Sequence, residues 1–254
     1  MARRRVASVL RTVLLGAAFG SARQLRRFAS FIPTQMTVLV LLGAPGAGKG
    51  TQAPILAERL GVPVLASGNL LRAAVAAGST LGREADRYMS RGHLVPDDTI
   101  VRVFLDRLEA ADAVDGAILD GFPRTKVQAE ALDDALAEAG RRVDLAGYID
   151  VPLEDLVVRM ASRRICSANG HVYNLVSNPP VVHDVCDIDG SELAQRADDH
   201  ELTIRARMAQ QVPALLEVVE HYRDHGVLRS VDGDRPIDTV TDELMAAVDG
   251  IRMA

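Results

Sequence analysis

Short apolar runs punctuate the chain between longer segments of helical spacing. Thr37–Leu42, Val62–Ala66, Gly116–Leu119, Leu145–Ile149 and Val227–Val231 each have the length and content of a strand. Between them, DDTIVRVFLDRL places Ile100, Phe104 and Leu108 on one face, behind Pro96 and Asp97, a pair suited to a helix start. A long helix is expected from Asp198 to about His225. Strands alternating with helices argue for a parallel sheet wrapped by helices, here an α/β fold with five core strands. One stretch breaks the rhythm. Ser167–Gly190, SANGHVYNLVSNPPVVHDVCDIDG, is rich in Asn, Pro and Gly with short β-branched runs, and reads as a small irregular β lobe inserted into the fold. The chain carries no internal repeat and no low-complexity linker.

The turn after the first strand changes this from a fold to a site. Gly43–Thr51 reads GAPGAGKGT between an apolar strand and the helical spacing of QAPILAERL. Strand, glycine-rich turn and helix in that order bring backbone N–H groups and a helix N-terminus onto one anion, so the segment predicts a nucleotide phosphate site. Gly43, Gly46 and Gly48 let the backbone curl, and Lys49 supplies a compact positive charge. Gly50 separates Lys49 from Thr51, which displaces the usual hydroxyl by one residue and points to Mg2+ held through water.

Charge narrows the partners. The net charge is -5, but positions 1–33 hold seven Arg and no acid, leaving about -12 on the rest. An acidic body is a poor surface for nucleic acid, which argues against a nucleic-acid-dependent ATPase. Lys49 and Lys126 are the only lysines in an Arg- and Ala-rich chain, so a lysine kept in the glycine loop fits a need for a point charge that the planar guanidinium does not meet. Two cysteines make no disulfide framework. The Arg-rich segment 1–35 reads as a leader, with RRFAS as a processing site, or as residues upstream of a true start at Met36; a secretory signal is the further option. Its apolar stretch, interrupted by Arg11, is too short to span a bilayer. The expected setting is the cytoplasm, with the mitochondrion as the alternative if the leader is a presequence.

Three further motifs follow in order: ASGNLLR at Ala66–Arg72, ILDGFPRT at Ile118–Thr125 with Gln128 beyond it, and an arginine series around the inserted lobe with Arg159, Arg163, Arg164, QRADD, Arg205 and Arg207. The set GAPGAGKGT, SGNLLR, DGFPRT, RR and QRADD resembles the adenylate kinases of the long-lid bacterial type, from Met36 to the C-terminus. The resemblance implies a P-loop NTPase-like five-stranded parallel sheet flanked by helices. It also implies a core at 36–65, 96–161 and 200–254, a helical NMP-binding lobe at 66–95, and a small β lid at 162–199. It further implies Mg2+-dependent, reversible phosphoryl transfer from ATP to AMP giving two ADP, by closure of lid and lobe around the nucleotides. No nucleic acid, no membrane and a monomer are expected.

Residue by residue, the resemblance implies that Gly46, Ala47, Gly48, Lys49, Gly50 and Thr51 hold the ATP phosphates, while Arg159, Tyr173 and Arg235 border the ATP side. Arg163, Arg196 and Arg207 converge on the transferring phosphoryl group, with Lys49 and Arg124 in the same catalytic set. Arg72 and Arg124 hold the AMP phosphate; Ser67, Gly68, His93, Val95, Gly121 and Gln128 complete the AMP site, where Arg196 and Arg207 also reach. Asp120 holds the Mg2+ waters, and Asp198 and Asp199 orient lid arginines. Independently of any resemblance, phosphoryl transfer between two polyanions needs positioning, fixed positive charge and exclusion of water, and arginine supplies bidentate phosphate contacts.

Departures matter as much. Asn69 stands where Asp is common, and Ser67 where Thr is common. Relatives with a lid zinc carry two ligand pairs; the matching positions are Cys166, Asn169, Cys186 and Asp189, and a neutral Asn is a poor ligand. A lid held by hydrogen bonds and packing without zinc is therefore expected, with His171 and His183 nearby as substitutes. The rival readings are a kinase for another monophosphate or donor, and a nucleotide-binding regulatory protein without turnover.

Overall fold

The computed structural model describes residues 37–89, 95–113, 115–195 and 199–252. Segment 1–35 and two site candidates, His93 and Arg196, lie outside the described residues, as does Asp198.

Five strands, β1 (Thr37–Leu42), β2 (Val64–Ala66), β3 (Gly116–Asp120), β4 (Leu145–Asp150) and β8 (Leu228–Asp232), form one parallel sheet in the order β2-β3-β1-β4-β8. β1 is central because its residues are apolar on both sides. Val38, Val40 and Leu42 enter one core with Phe104, Phe122 and Leu132; Leu39 and Leu41 enter the other with Leu56, Ile118 and Leu244. A strand covered on both faces cannot alternate with polar residues, which explains the uninterrupted TVLVLL. Burying each such side chain contributes about 1.5–3 kcal/mol. A half-buried contact closes the N-terminal end of β1: the carboxylate of Asp144 accepts from the Val38 N–H at 2.9 Å.

Helices fill the crossovers: α1 (Lys49–Leu60), α2 (Ser67–Ala76), α3 (Thr80–Met89), α4 (Asp97–Leu108), α5 (Lys126–Glu138), α6 (Leu153–Ala161), α7 (Glu201–Asp224) and α8 (Ile237–Arg252). Ile100, Phe104 and Leu108 of α4 are buried together, as their spacing predicts. Helix α1 is tied to α8 through the interior. The Gln52 amide donates to the Ile237 carbonyl at 3.0 Å and accepts from the Thr241 hydroxyl at 2.7 Å, so both buried polar side chains are satisfied. Among the described residues no helix is long and apolar enough to cross a membrane.

The expected β lobe is a separate three-stranded antiparallel sheet, order β6-β5-β7, built from β5 (Arg163–Cys166), β6 (Val172–Asn174) and β7 (Leu193–Ala194). Its small core is Cys166, Tyr173, Cys186 and Leu193. Both cysteines are free.

Helices α2 and α3 approach closely where α3 carries Gly82. A Cβ at that position would sit 1.9 Å from the Ala74 carbonyl oxygen, a backbone atom that cannot swing aside. Gly82→Ala should therefore destabilise this helix pair by about 1–3 kcal/mol. Faster amide exchange confined to α2 and α3 is the expected readout; unchanged exchange would show that the two helices separate freely.

Candidate functional site

The parallel register sets the site. Leu41, one residue from the end of β1, pairs with Asp120, the last residue of β3, so the glycine loop and DGFPRT emerge side by side at the C-terminal edge of the sheet. This is where open α/β sheets bind ligands. Gly46 and Gly48 take φ of +86° and +103°, which a side chain would resist, and Gly48 begins α1 with no side-chain cap. The first N–H groups of α1 are thus left for an anion. Gly50 and Thr51 are exposed at this end, while Ala47 is buried beneath the loop.

Lys49 folds back over its own loop and donates to the carbonyls of Gly43 at 2.6 Å and Ala44 at 3.1 Å. Burial lowers its pKa from 10.5 to about 8; the charge of Asp120 opposes the fall and that of Arg124 adds to it. Burial likewise pushes the Asp120 carboxyl up, against the pull of Lys49 and Arg124. The Arg124 guanidinium is pulled down by burial, held up by Asp120 and lowered further by Arg207. Lys49, Asp120, Arg124 and Arg207 therefore share one electrostatic neighbourhood, in which the charges of Lys49 and Arg124 meet on Asp120.

Around it, Arg124 donates from Nε to the Gly121 carbonyl at 2.7 Å and from Nη2 to the Ser67 hydroxyl at 3.1 Å, joining the starts of α2 and α5. Ser67 is buried, and Gly68 packs against the Arg72 guanidinium. Arg72 is held by the Asn69 side chain at 2.6 Å, so the residue that departs from the common Asp orients this arginine without a charge. Gln128 is buried with both ends engaged: its oxygen accepts from the Arg124 N–H at 2.7 Å and its amide donates to Asp97 at 2.6 Å. Val95 is half-buried against the core beside this helix start.

On the other side, Arg159 donates to the Gly233 carbonyl at 2.9 Å and to Asp234 at 2.8 Å, bringing α6 against the turn that carries Arg235. Arg235 itself pairs with Glu243 at 2.5 Å. Arg163 grips Asp199 through two hydrogen bonds of 2.8 and 2.6 Å; Asp199 is fully buried, so this pair joins the two ends of the β lobe. Tyr173 is buried in the lobe, its hydroxyl against the Cys186 Sγ at 3.4 Å and accepting from the Asp187 N–H at 2.8 Å, which occupies it in packing and not at a ligand surface.

The lobe also gathers Cys166, His171, Cys186 and Asp189, one ligand atom from each lying within 4.8 Å of the others. His171 Nδ1 is 3.3 Å from both the Cys186 Sγ and an Asp189 oxygen. Asn169 turns its amide to Asp189 at 2.7 Å and its N–H to the Cys166 Sγ at 3.4 Å, supporting the set without joining it. Two thiolates, an imidazole and a carboxylate fit tetrahedral zinc. The Asn at the matching position thus does not leave the ligand count short, because the chain supplies His171 two residues later. His183 pairs with Asp184 at 2.8 Å and is not part of this set.

Sequence reasoning missed two positioning residues. Asp97 was legible as a helix start, not as the partner of Gln128, and Asn69 showed as a departure without its bond to Arg72.

A glycine loop on an uncapped helix start, beside a carboxylate at the tip of the neighbouring strand, places the chain in the class of P-loop nucleotide-binding α/β proteins. Comparison narrows the class. The family model described as adenylate kinase matches residues 41–227. The chain is 44% identical over 212 residues to the adenylate kinase of Exiguobacterium sibiricum, covering 84% of this chain and 99% of that protein. It is 47% identical over 211 residues to that of Thermodesulfovibrio yellowstonii, covering 83% and 98%. Against the adenylate kinase of Staphylococcus epidermidis the identity is 42% over 211 residues. The chain belongs to the adenylate kinase family.

The lowered Lys49 pKa carries a sign. Because the unfolded chain binds this proton more tightly, stability from this group rises as pH climbs from about 8 toward 10.5. A bound polyphosphate does the reverse and raises the pKa. Nucleotide binding near pH 8 should therefore take up a proton and weaken as pH rises further. Calorimetry in buffers of different ionisation enthalpy reads this uptake, and Lys49→Met should abolish it; equal proton uptake in that variant would move the titration to another group.

Proposed function

We propose that this enzyme transfers a phosphoryl group reversibly between ATP and AMP, yielding two ADP, at the cation-rich neighbourhood of Lys49, Arg124 and Arg207. This gathering of cations beside the glycine loop is the observation that carries the reading, because two nucleotides meeting end to end need their repulsion cancelled. In this reading positions 46–51 cradle the ATP phosphates, and Lys49 exchanges the carbonyls of Gly43 and Ala44 for phosphate oxygens. Arg159 and the turn through Arg235 border the ATP base. Arg163, Arg196 and Arg207 face the transferring group. Arg72 and Arg124 hold the AMP phosphate, with Ser67, Gly68, His93, Val95, Gly121 and Gln128 around the AMP nucleoside. Gln128 has to trade its bonds to Asp97 and Arg124 to offer an amide to a base edge.

The half-buried Asp120 carboxylate, whose charge already meets Lys49 and Arg124, suits a hydrated cation beside the loop. It would hold Mg2+ through water, together with Thr51. When bound with the nucleotide, Mg2+ neutralises phosphate oxygens. Cys166, His171, Cys186 and Asp189 would hold a structural zinc in the lobe at 162–199. This lobe and the one at 66–95 act as covers that exclude water, the competing acceptor. The enzyme works as a monomer in the cytoplasm.

Arg124→Ala should lower the AMP-dependent kcat/KM about a hundredfold, on the order of 3 kcal/mol, with ATP affinity little changed. Arg124→Lys should rescue little of it, because the ammonium lacks the fork geometry. Coupled assays over a nucleotide panel test both this and the substrate pair. Unchanged AMP kinetics in Arg124→Ala would remove the second nucleotide site from this place, and preference for UMP or GTP would overturn the substrate reading.

A further inference from the structure

A second cluster of metal-ligating side chains lies away from the loop and the arginines, between α5 and the C-terminal end of α7. Asp133 on α5, His221 on α7 and His225, the residue that caps α7, each place a ligand atom within 4.8 Å of the others. His221 is buried to 8% exposure and its Nε2 meets the Asp133 carboxylate at 2.7 Å. His225 is fixed in its tautomer. Its Nδ1 lies 2.7 Å from the His221 carbonyl, an acceptor only, so Nδ1 carries the proton and Nε2 keeps a free lone pair. The two imidazoles stand 4.4 Å apart, one turn along the helix.

Three features around this cluster favour a cation. The cleft it lines has a volume of about 730 Å³, and Glu130, Asp134, Glu217, Glu220 and Asp224 add carboxylates, of which Glu130 pairs with Lys126 and Glu220 with Arg223. It sits at the C-terminus of a 24-residue helix, the negative end of the macrodipole. Beside it, the Tyr222 hydroxyl is buried without a hydrogen-bond partner among the described residues.

We infer that Asp133, His221 and His225 form a binding site for a borderline divalent transition ion of the zinc, cobalt or nickel type, clamping α5 to α7. Two imidazoles and one carboxylate select such an ion over Mg2+ or Ca2+, which prefer all-oxygen shells. Tetrahedral bonds near 2.0–2.1 Å place ligand atoms about 3.3 Å apart, so the His221 Nε2 and the Asp133 oxygen, 2.7 Å apart, separate by about 0.6 Å while the exposed His225 draws inward. The proton between His221 Nε2 and Asp133 either moves to Nδ1 or leaves to solvent as the ion takes its place. The remaining positions are open to water. The site is independent of the thiolate set in the β lobe and of the reading of the reaction.

Cobalt separates the two sites by colour. The full-length protein, stripped with a chelator and titrated with Co2+, should show a visible d–d component without thiolate-to-cobalt charge transfer, beside any thiolate band from the lobe. His225→Ala and Asp133→Asn should each weaken binding of the thiolate-free component about tenfold or more, leaving any thiolate band in place. Turnover of the metal-free His225→Ala protein should match wild type, since the residue touches neither the loop nor the arginines. Absence of a thiolate-free component in the wild-type protein, or its survival at full affinity in both variants, would overturn the site.

Discussion

Cations gathered beside the glycine loop set the terms for this molecule. Lys49 and Arg124 oppose one another's charge, Arg207 adds to the opposition at Arg124, Asp120 draws on both Lys49 and Arg124, and burial lowers the pKa of those two. Such an arrangement costs stability in the free protein and persists only because the sheet holds it in place. In the proposed reaction, phosphate oxygens would offset that cost. Each surrounding hydrogen bond can be read as temporary occupation of a cation until then: loop carbonyls on Lys49, Ser67 and the Gly121 carbonyl on Arg124, Asn69 on Arg72, Asp199 on Arg163.

The sheet can hold that arrangement because its centre is doubly buried. With Val38, Val40 and Leu42 in one core and Leu39 and Leu41 in the other, β1 has no freedom to slip against β3, since a one-residue shift would exchange its two faces and their fitted neighbours. The register that pairs Leu41 with Asp120 is thereby fixed, and with it the spacing between loop and carboxylate. On the far side, the Gln52–Thr241–Ile237 network anchors α1, so the helix start that follows the glycine loop is set from below.

Much of this was legible in the residues. The five strand runs agree with the observed strands to within two residues at each end, because apolar runs of that length have no other place to go. The helix at Asp97–Leu108 followed from the spacing of Ile100, Phe104 and Leu108. The loop and the arginine motifs could be read because their chemistry is local or their order is specific. What could not be read were pairings across the fold. Asp97 lies 31 residues from Gln128, and nothing in either stretch announces the bond. His171 could be named as one of two substitutes for Asn169, but the choice between it and His183 could not be read, because it depends on the turn of the β5–β6 hairpin that brings His171 to the cysteines and leaves His183 beside Asp184. The Asp133, His221 and His225 cluster is split between helices 88 residues apart, and its meeting depends on the packing of α5 against α7.

The bidentate pair of Arg163 with Asp199 spans 36 residues and closes the β lobe at its base. An insertion whose two ends are stapled by one ion pair is a cassette: its interior can be rewritten without disturbing the frame that receives it. The small core of Cys166, Tyr173, Cys186 and Leu193 shares no residue with either of the two large cores. Drift among those core residues, including the exchange of one kind of staple for another, is then insulated from the two large cores, while Asn174 and Gln195, which donate to the Arg159 and Ala161 carbonyls of α6, tie the lobe to its frame at two further points.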